Sequence, residues 1–197
     1  MQLSEIKFAC LDTETTGLSP LEGGKICEIA VSVSQGGRVV EEFSSLVNPG
    51  MPMHPDVVAI HGITNEMVAS APSFGQLLPK LLSLLDGCVI VAHNAEFDVN
   101  FLKSEFAQCG MRFPPYPVVD TLKLARKSGK FVKNNLGCIA AELGINPQGW
   151  HRAMADTKMA EQIFYYFLTI LSKHGVRTLE QLEPFQHKRW KDLISSN

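Results

Sequence analysis

The stretch Phe8-Ala9-Cys10-Leu11-Asp12-Thr13-Glu14-Thr15-Thr16-Gly17 decides how this chain is read. Its apolar run, taken from residue 6 to residue 13, has the length and composition of a buried β-strand. Asp12 and Glu14 are two residues apart, so on a strand both carboxylates leave the same face at its end. Two anions aimed the same way repel each other, and burying even one of them unpaired is costly. The pair therefore calls for water, protonation or a cation. A hard divalent cation such as Mg²⁺ takes carboxylate oxygens and keeps positions for water and substrate phosphate, which directs attention to phosphate chemistry.

Working outward, Ile26 to Val33 reads as a second strand entered from the turn at Gly23-Gly24. Gln35-Gly36-Gly37 is a hairpin signal, and Arg38 to Val47 forms a third, edge-like strand ending at Asn48-Pro49-Gly50, so the first three strands are expected to be antiparallel neighbours. Met51 to Pro72 is expected to be a long connection with one short helical piece, Asn65 to Ala69. From there the rhythm changes to alternating helix and strand. Ser73 caps an amphipathic helix through Leu85, and Cys88 to Ala92 is a fourth, central strand. Asn94 is expected to cap a helix from Ala95 to about Cys109, Val118-Val119 is a short fifth strand, and helices follow at Thr121 to Lys127 and Leu136 to Leu143. The last long helix runs from about Arg152 to Leu171, with Ala155, Met159, Ile163, Tyr166 and Ile170 close to a 3.6-residue period. The expected fold class is α/β, a central five-stranded mixed sheet flanked by helices.

The bulk properties narrow the function. At 197 residues, 45% hydrophobic and 19% charged, the chain has the make-up of a globular domain with a sizeable core. A net charge of -2 gives no overall attraction to nucleic acid, so such a partner has to be held locally. Five cysteines without C-x-x-C spacing disfavour a disulfide framework and a zinc ribbon, and they are expected to be buried small hydrophobes. No stretch approaches a membrane span or a cleavable leader, so the expected location is cytoplasmic.

Two further acids fall where strands hand over to helices, the usual ligand position in open α/β sheets. His93-Asn94-Ala95-Glu96-Phe97-Asp98 puts Asp98 in the first turn of a helix, whose positive end favours an anion. His151-Arg152-Ala153-Met154-Ala155-Asp156 opens the last helix. A five-residue helical step turns ~500°, which leaves the two side chains ~140° apart. They can approach one centre only if His151 lies in the preceding loop. His93 is read as a structural hydrogen-bonding residue at the strand end.

Taken together, Asp12-x-Glu14, His93-x-x-x-x-Asp98 and His151-x-x-x-x-Asp156 resemble the three motifs of the DEDDh exonucleases, the proofreading-exonuclease family with a ribonuclease H-like fold. Thr15-Thr16-Gly17, His61-Gly62-Ile63-Thr64 and Asp120-Thr121-Leu122 are weaker echoes. The resemblance implies hydrolysis of phosphodiesters at 3′ ends, releasing nucleoside 5′-monophosphates with two divalent cations, Mg²⁺ or Mn²⁺. Asp12, Glu14, Asp98 and Asp156 would be the metal ligands, Asp12 bridging and Asp98 acting largely through water. His151 would be the general base, a task suited to a side chain whose ordinary pKa is ~6.5. Thr13, Thr15, His61 and Phe97 would touch the terminal nucleotide.

The expected substrate is single-stranded or frayed DNA. An exoribonuclease trimming RNA 3′ ends is the alternative within the same chemistry, since the motifs do not read the sugar. Residues 1–175 would form the exonuclease domain. The tail 176–197, with Leu179, Leu182, Phe185, Trp190 and Leu193 in a charged background, leaves open a polymerase-associated interaction subunit docking through these anchors. Lys123, Arg126, Lys127, Lys130 and Lys133 border the expected strand path, although such a run is ordinarily a solvated face.

Overall fold

A computed structural model describes residues 1–145 and 151–194. The strands are β1 (Lys7–Thr15), β2 (Ile26–Gln35), β3 (Arg38–Leu46), β4 (Cys88–Ala92) and β5 (Val118–Asp120). The helices are α1 (Pro55–His61), α2 (Asn65–Val68), α3 (Phe74–Leu85), α4 (Ala95–Gln108), α5 (Thr121–Ser128), α6 (Leu136–Glu142), α7 (Ala153–Lys173), α8 (Leu179–Leu182) and α9 (Trp190–Ile194). The sheet order is β3-β2-β1-β4-β5. Strands β1, β2 and β3 pair antiparallel, while β4 pairs parallel with both β1 and β5. The expected mixed five-stranded sheet is borne out.

The pleat of β1 sorts the molecule into layers. Ala9 and Leu11 pack with Phe74, Leu81, Phe101 and Phe106 of α3 and α4, whereas Phe8 and Cys10 pack with Ile163, Phe164 and Phe167 of α7. Central strands covered on both faces read as nearly unbroken apolar runs, and that is how β1, β2 and β4 are written. On the α7 side the rings of Phe8 and Phe164 meet edge to face at 4.8 Å.

The connection after β3 carries more structure than its Pro and Gly content predicts. Pro55 occupies the first turn of α1, where a missing N–H costs nothing, and Gly62 ends that helix at φ 70. Asn94 also departs from expectation. It sits in the left-handed region at φ 69 and makes no side-chain cap, while its backbone N–H donates to Asp120 Oδ1 at 3.1 Å. All five cysteines are free, but only Cys10, Cys27 and Cys88 are buried; Cys109 and Cys138 are partly exposed.

The tail folds back on the α7 face, where Leu182, Phe185 and Trp190 join the core cluster. Trp190 Nε1 donates to the Phe185 carbonyl at 3.0 Å. Gln186, buried, accepts from the Asp120 backbone N–H at 2.7 Å and donates to the Val118 carbonyl at 3.4 Å. Residues 195–197 of the expected tail lie outside the described residues. Among the described residues no helix is long and apolar enough to cross a membrane.

Candidate active site

The alternation that builds the core also distributes the acids. Asp12 and Glu14 continue the Phe8 and Cys10 side of β1 and so face α7, which brings Asp156 from its first turn. One carboxylate oxygen from each of Asp12, Glu14 and Asp156 lies within 4.8 Å of the others. Thr13 points the opposite way, toward α4, and there it meets Asp98. The Thr13 backbone N–H and hydroxyl both donate to Asp98 Oδ1, at 2.9 and 2.8 Å. Asp98 is thus anchored to β1 at the residue between Asp12 and Glu14, outside the three-carboxylate group.

Burial pushes the proton affinities of all four carboxyls upward, and at Asp12 and Glu14 repulsion between the acids adds to it. Burial, followed by Asp98, Asp156, Glu14 and Glu28, raises Asp12 well above the ordinary carboxylate range. Glu14 is raised to about 8 by burial and then by Asp156, Glu28 and Asp98, with Arg152 opposing. Burial lifts Asp98 to about 7 against the two Thr13 bonds, and lifts Asp156 to about 6 against a bond from the His151 backbone. Asp156 Oδ1 is buried with no hydrogen-bond partner among the described residues. A carboxylate trio this close, short of positive charge and with an orphaned oxygen, is a donor set that fits a divalent cation.

His151 lies in the exposed bend just before α7, outside the helix and at φ 62. Phe97, in the first turn of α4, is half-buried and packs against Phe101 with ring centroids 5.0 Å apart. Thr15 is buried, its hydroxyl donating to the Gly17 carbonyl at 2.7 Å. His61 is buried as well: Nδ1 accepts from Ile63 N–H at 3.0 Å, and the ring also hydrogen-bonds the Thr15 backbone. His93 sits 2.9 Å from both the Thr121 hydroxyl and the Asn134 carbonyl, tying β4 to the loop before α6.

One site residue escaped the sequence reading. Glu28 lies opposite Glu14 in the β1–β2 register, buried, and holds Arg152 through two bonds of 2.7 and 3.1 Å. The available signal was a single acid inside the apolar run Ile26-Cys27-Glu28-Ile29-Ala30-Val31, since a charge in a doubly covered strand needs a partner.

A mixed sheet of this order, with its acids collected where β1 meets the first turns of α4 and α7, defines the class of ribonuclease H-like nucleases. Residues 9–164 match the family described as RNase_T, exonuclease, and the chain belongs to that family, as its three acidic motifs implied. It is 35% identical over 179 residues to a DNA polymerase III PolC-type protein of Thermotoga maritima, covering 91% of this chain and 13% of the relative. It is 33% identical over 192 residues to the 3′-5′ exonuclease DinG of Bacillus subtilis, covering 97% of this chain and 21% of the relative. Among solved structures, exonuclease X in complex with 5′ overhanging duplex DNA superposes with a TM-score of 0.71 at 28% identity, over 92% of this chain and 99% of that one. The chain thus spans a minor part of the two longer relatives.

Proposed function

We propose that the chain is a metal-dependent 3′-5′ exonuclease that removes nucleoside 5′-monophosphates from single-stranded or frayed DNA ends. The observation that carries this reading is the convergence of Asp12, Glu14 and Asp156 within 4.8 Å, with the buried Asp156 Oδ1 unpartnered among the described residues. Asp12, Glu14 and Asp156 would hold two divalent cations, Mg²⁺ or Mn²⁺, with Asp98 completing the set from its anchor on Thr13. When bound, such ions supply charge stabilisation for the phosphoryl oxygens and favour ionisation of water.

The protein's own groups do the rest. His151 takes the proton from the attacking water. Water oxygen bonds to phosphorus, the bond from phosphorus to the 3′ oxygen of the penultimate nucleotide breaks, and that oxygen takes a proton from solvent, to which His151 later returns its own. The terminal nucleotide leaves as its 5′-monophosphate. Phe97 offers a ring edge against the last base, while the Thr13 and Thr15 backbone, supported by His61, seats the terminal sugar.

Relatives named as a polymerase and as an exonuclease favour a DNA-end function in replication or repair, with a DNA polymerase as partner. The test is nucleotide release from matched 3′-labelled single-stranded DNA, mismatched primer-template and RNA, with Mg²⁺, Mn²⁺ or EDTA. DNA degradation to 5′-monophosphates that stops in EDTA is expected. Undiminished release in the chelator would sink the metal reading, and faster release from RNA would reassign the substrate.

A further inference from the structure

Glu28 begins a row along β2 that faces α7. Four contacts join the two elements at a fixed interval. The Ala153 backbone N–H donates to Glu28 Oε2 at 3.0 Å, and Thr157 Oγ1 lies 3.5 Å from the Ala30 carbonyl. Ser32 Oγ then donates to Glu161 Oε2 at 3.0 Å, and the Tyr165 hydroxyl donates to Ser34 Oγ at 2.8 Å. The helix advances four residues per rung, about 6 Å, while the strand advances two, about 6.6 Å. The two spacings nearly match, so this polar seam fixes how far α7 slides along β2. Apolar packing, being non-directional, does not fix that distance as sharply.

The rung nearest the acids is the strongest. Arg152 grips Glu28 through both Nε and Nη2, a bidentate pair in which the carboxylate is buried and the guanidinium half-exposed. Arg152 stands between His151 and the first residue of α7, so the grip acts on the backbone that carries His151 at φ 62 and, one turn later, Asp156. Pairing with Arg152 and Ala153 engages both carboxylate oxygens of Glu28, which lies opposite Glu14 on β2.

We propose that Glu28 is a positioning residue: with Arg152 it sets the register of α7, and thereby holds His151 and Asp156 against Asp12 and Glu14. This rests on the reading of His151 as general base and Asp156 as metal ligand. The test compares kcat and KM for a single-stranded DNA 3′ end, and Mn²⁺ binding by calorimetry, in wild type, Glu28→Gln, Arg152→Ala, the double variant and His151→Ala. Glu28→Gln and Arg152→Ala are each expected to lower kcat about 10- to 100-fold, the range for residues that orient ligands, with KM held within about twofold. The double variant is expected to be no worse than the worse single one, because removing both partners leaves no buried charge unpaired. Guanidinium is expected to restore part of the kcat of Arg152→Ala, and ammonium at equal ionic strength to restore none. Wild-type kcat and Mn²⁺ affinity in both single variants, beside an inactive His151→Ala, would overturn the positioning role alone. Full activity in His151→Ala would overturn the reading beneath it as well. Should Glu28→Gln fail to fold, Arg152→Ala, altered at a half-exposed side chain, decides the question.

Discussion

Thr13 gives both its backbone N–H and its hydroxyl to one oxygen of Asp98, at 2.9 and 2.8 Å. Threonine sits between two acids that point the other way, so the same strand that displays Asp12 and Glu14 also fixes a third acid from the opposite layer. Thr13→Val removes the hydroxyl bond and leaves the backbone one. Because the acceptor is a carboxylate, a loss of about 1.5–3 kcal/mol in urea-unfolding stability is expected. The remaining bond holds Asp98 less firmly in its charged form, so the rise of activity with pH should move to higher pH.

The metal-free protein is expected to become less stable as pH rises from about 4 to about 8. The sign follows from direction. Glu14, Asp98 and Asp156 are raised to about 8, 7 and 6, so through this window the folded state keeps protons that the unfolded state has released. Stability is full below the ordinary carboxylate range and is lost as the folded groups ionise. Thermal melting in EDTA at pH 5 and pH 8 reads this directly. A higher melting temperature at pH 8 would contradict it, while added Mg²⁺ should reverse most of the fall by binding the ionised site.

Asp12→Asn separates stability from chemistry. An amide at this position removes the cost of burying a carboxylate and, after it, repulsion from Asp98, Asp156, Glu14 and Glu28. The metal-free variant should melt higher than wild type at pH 8, by roughly 2–4 °C for each kcal/mol gained. Nucleotide release should nevertheless fall by about a thousandfold or more.

His151→Ala is expected to lower kcat by about 10²- to 10⁴-fold, the usual weight of a positioned acid or base. Since His151 lies in an exposed bend outside the carboxylate trio, Mn²⁺ affinity should stay within about threefold of wild type. Calorimetry beside single-turnover kinetics distinguishes this outcome from simple loss of the metal site.

Trp190 tests whether the tail belongs to the fold. Its ring meets Phe167 at 5.5 Å and Phe185 at 5.6 Å, and its N–H is satisfied by the Phe185 carbonyl. Trp190→Ala should cost about 3–5 kcal/mol in denaturant unfolding. A loss under about 1 kcal/mol would mean that the tail docks only loosely.

What could be read from the sequence follows from how local the cause is. The strands were legible because Phe8 to Leu11 and Cys88 to Ala92 carry their burial in their own composition. The placement of His151 ahead of its helix was legible because helical geometry forbids it and Asp156 a common face otherwise. Helix α1 was hidden by Pro55 and Gly62, residues that interrupt a helix in its middle yet suit its two ends. Asn94 holds the expected N-cap position but in the left-handed region and without a side-chain bond, a distinction hidden because a left-handed turn and a cap select the same residue type. Glu28 and Arg152 are 124 positions apart, and Thr13 and Asp98 are 85 apart. No local pattern announces such pairs; only the register of β2 against α7, or of β1 against α4, brings them into contact.

The amide of Gln186 occupies the outer margin of β5, taking one N–H and offering one to a carbonyl two residues earlier, as a neighbouring strand would. A sheet margin left bare is a template for other chains. The tail therefore ends the sheet with a side chain, at backbone groups of β5 that a further strand would otherwise pair.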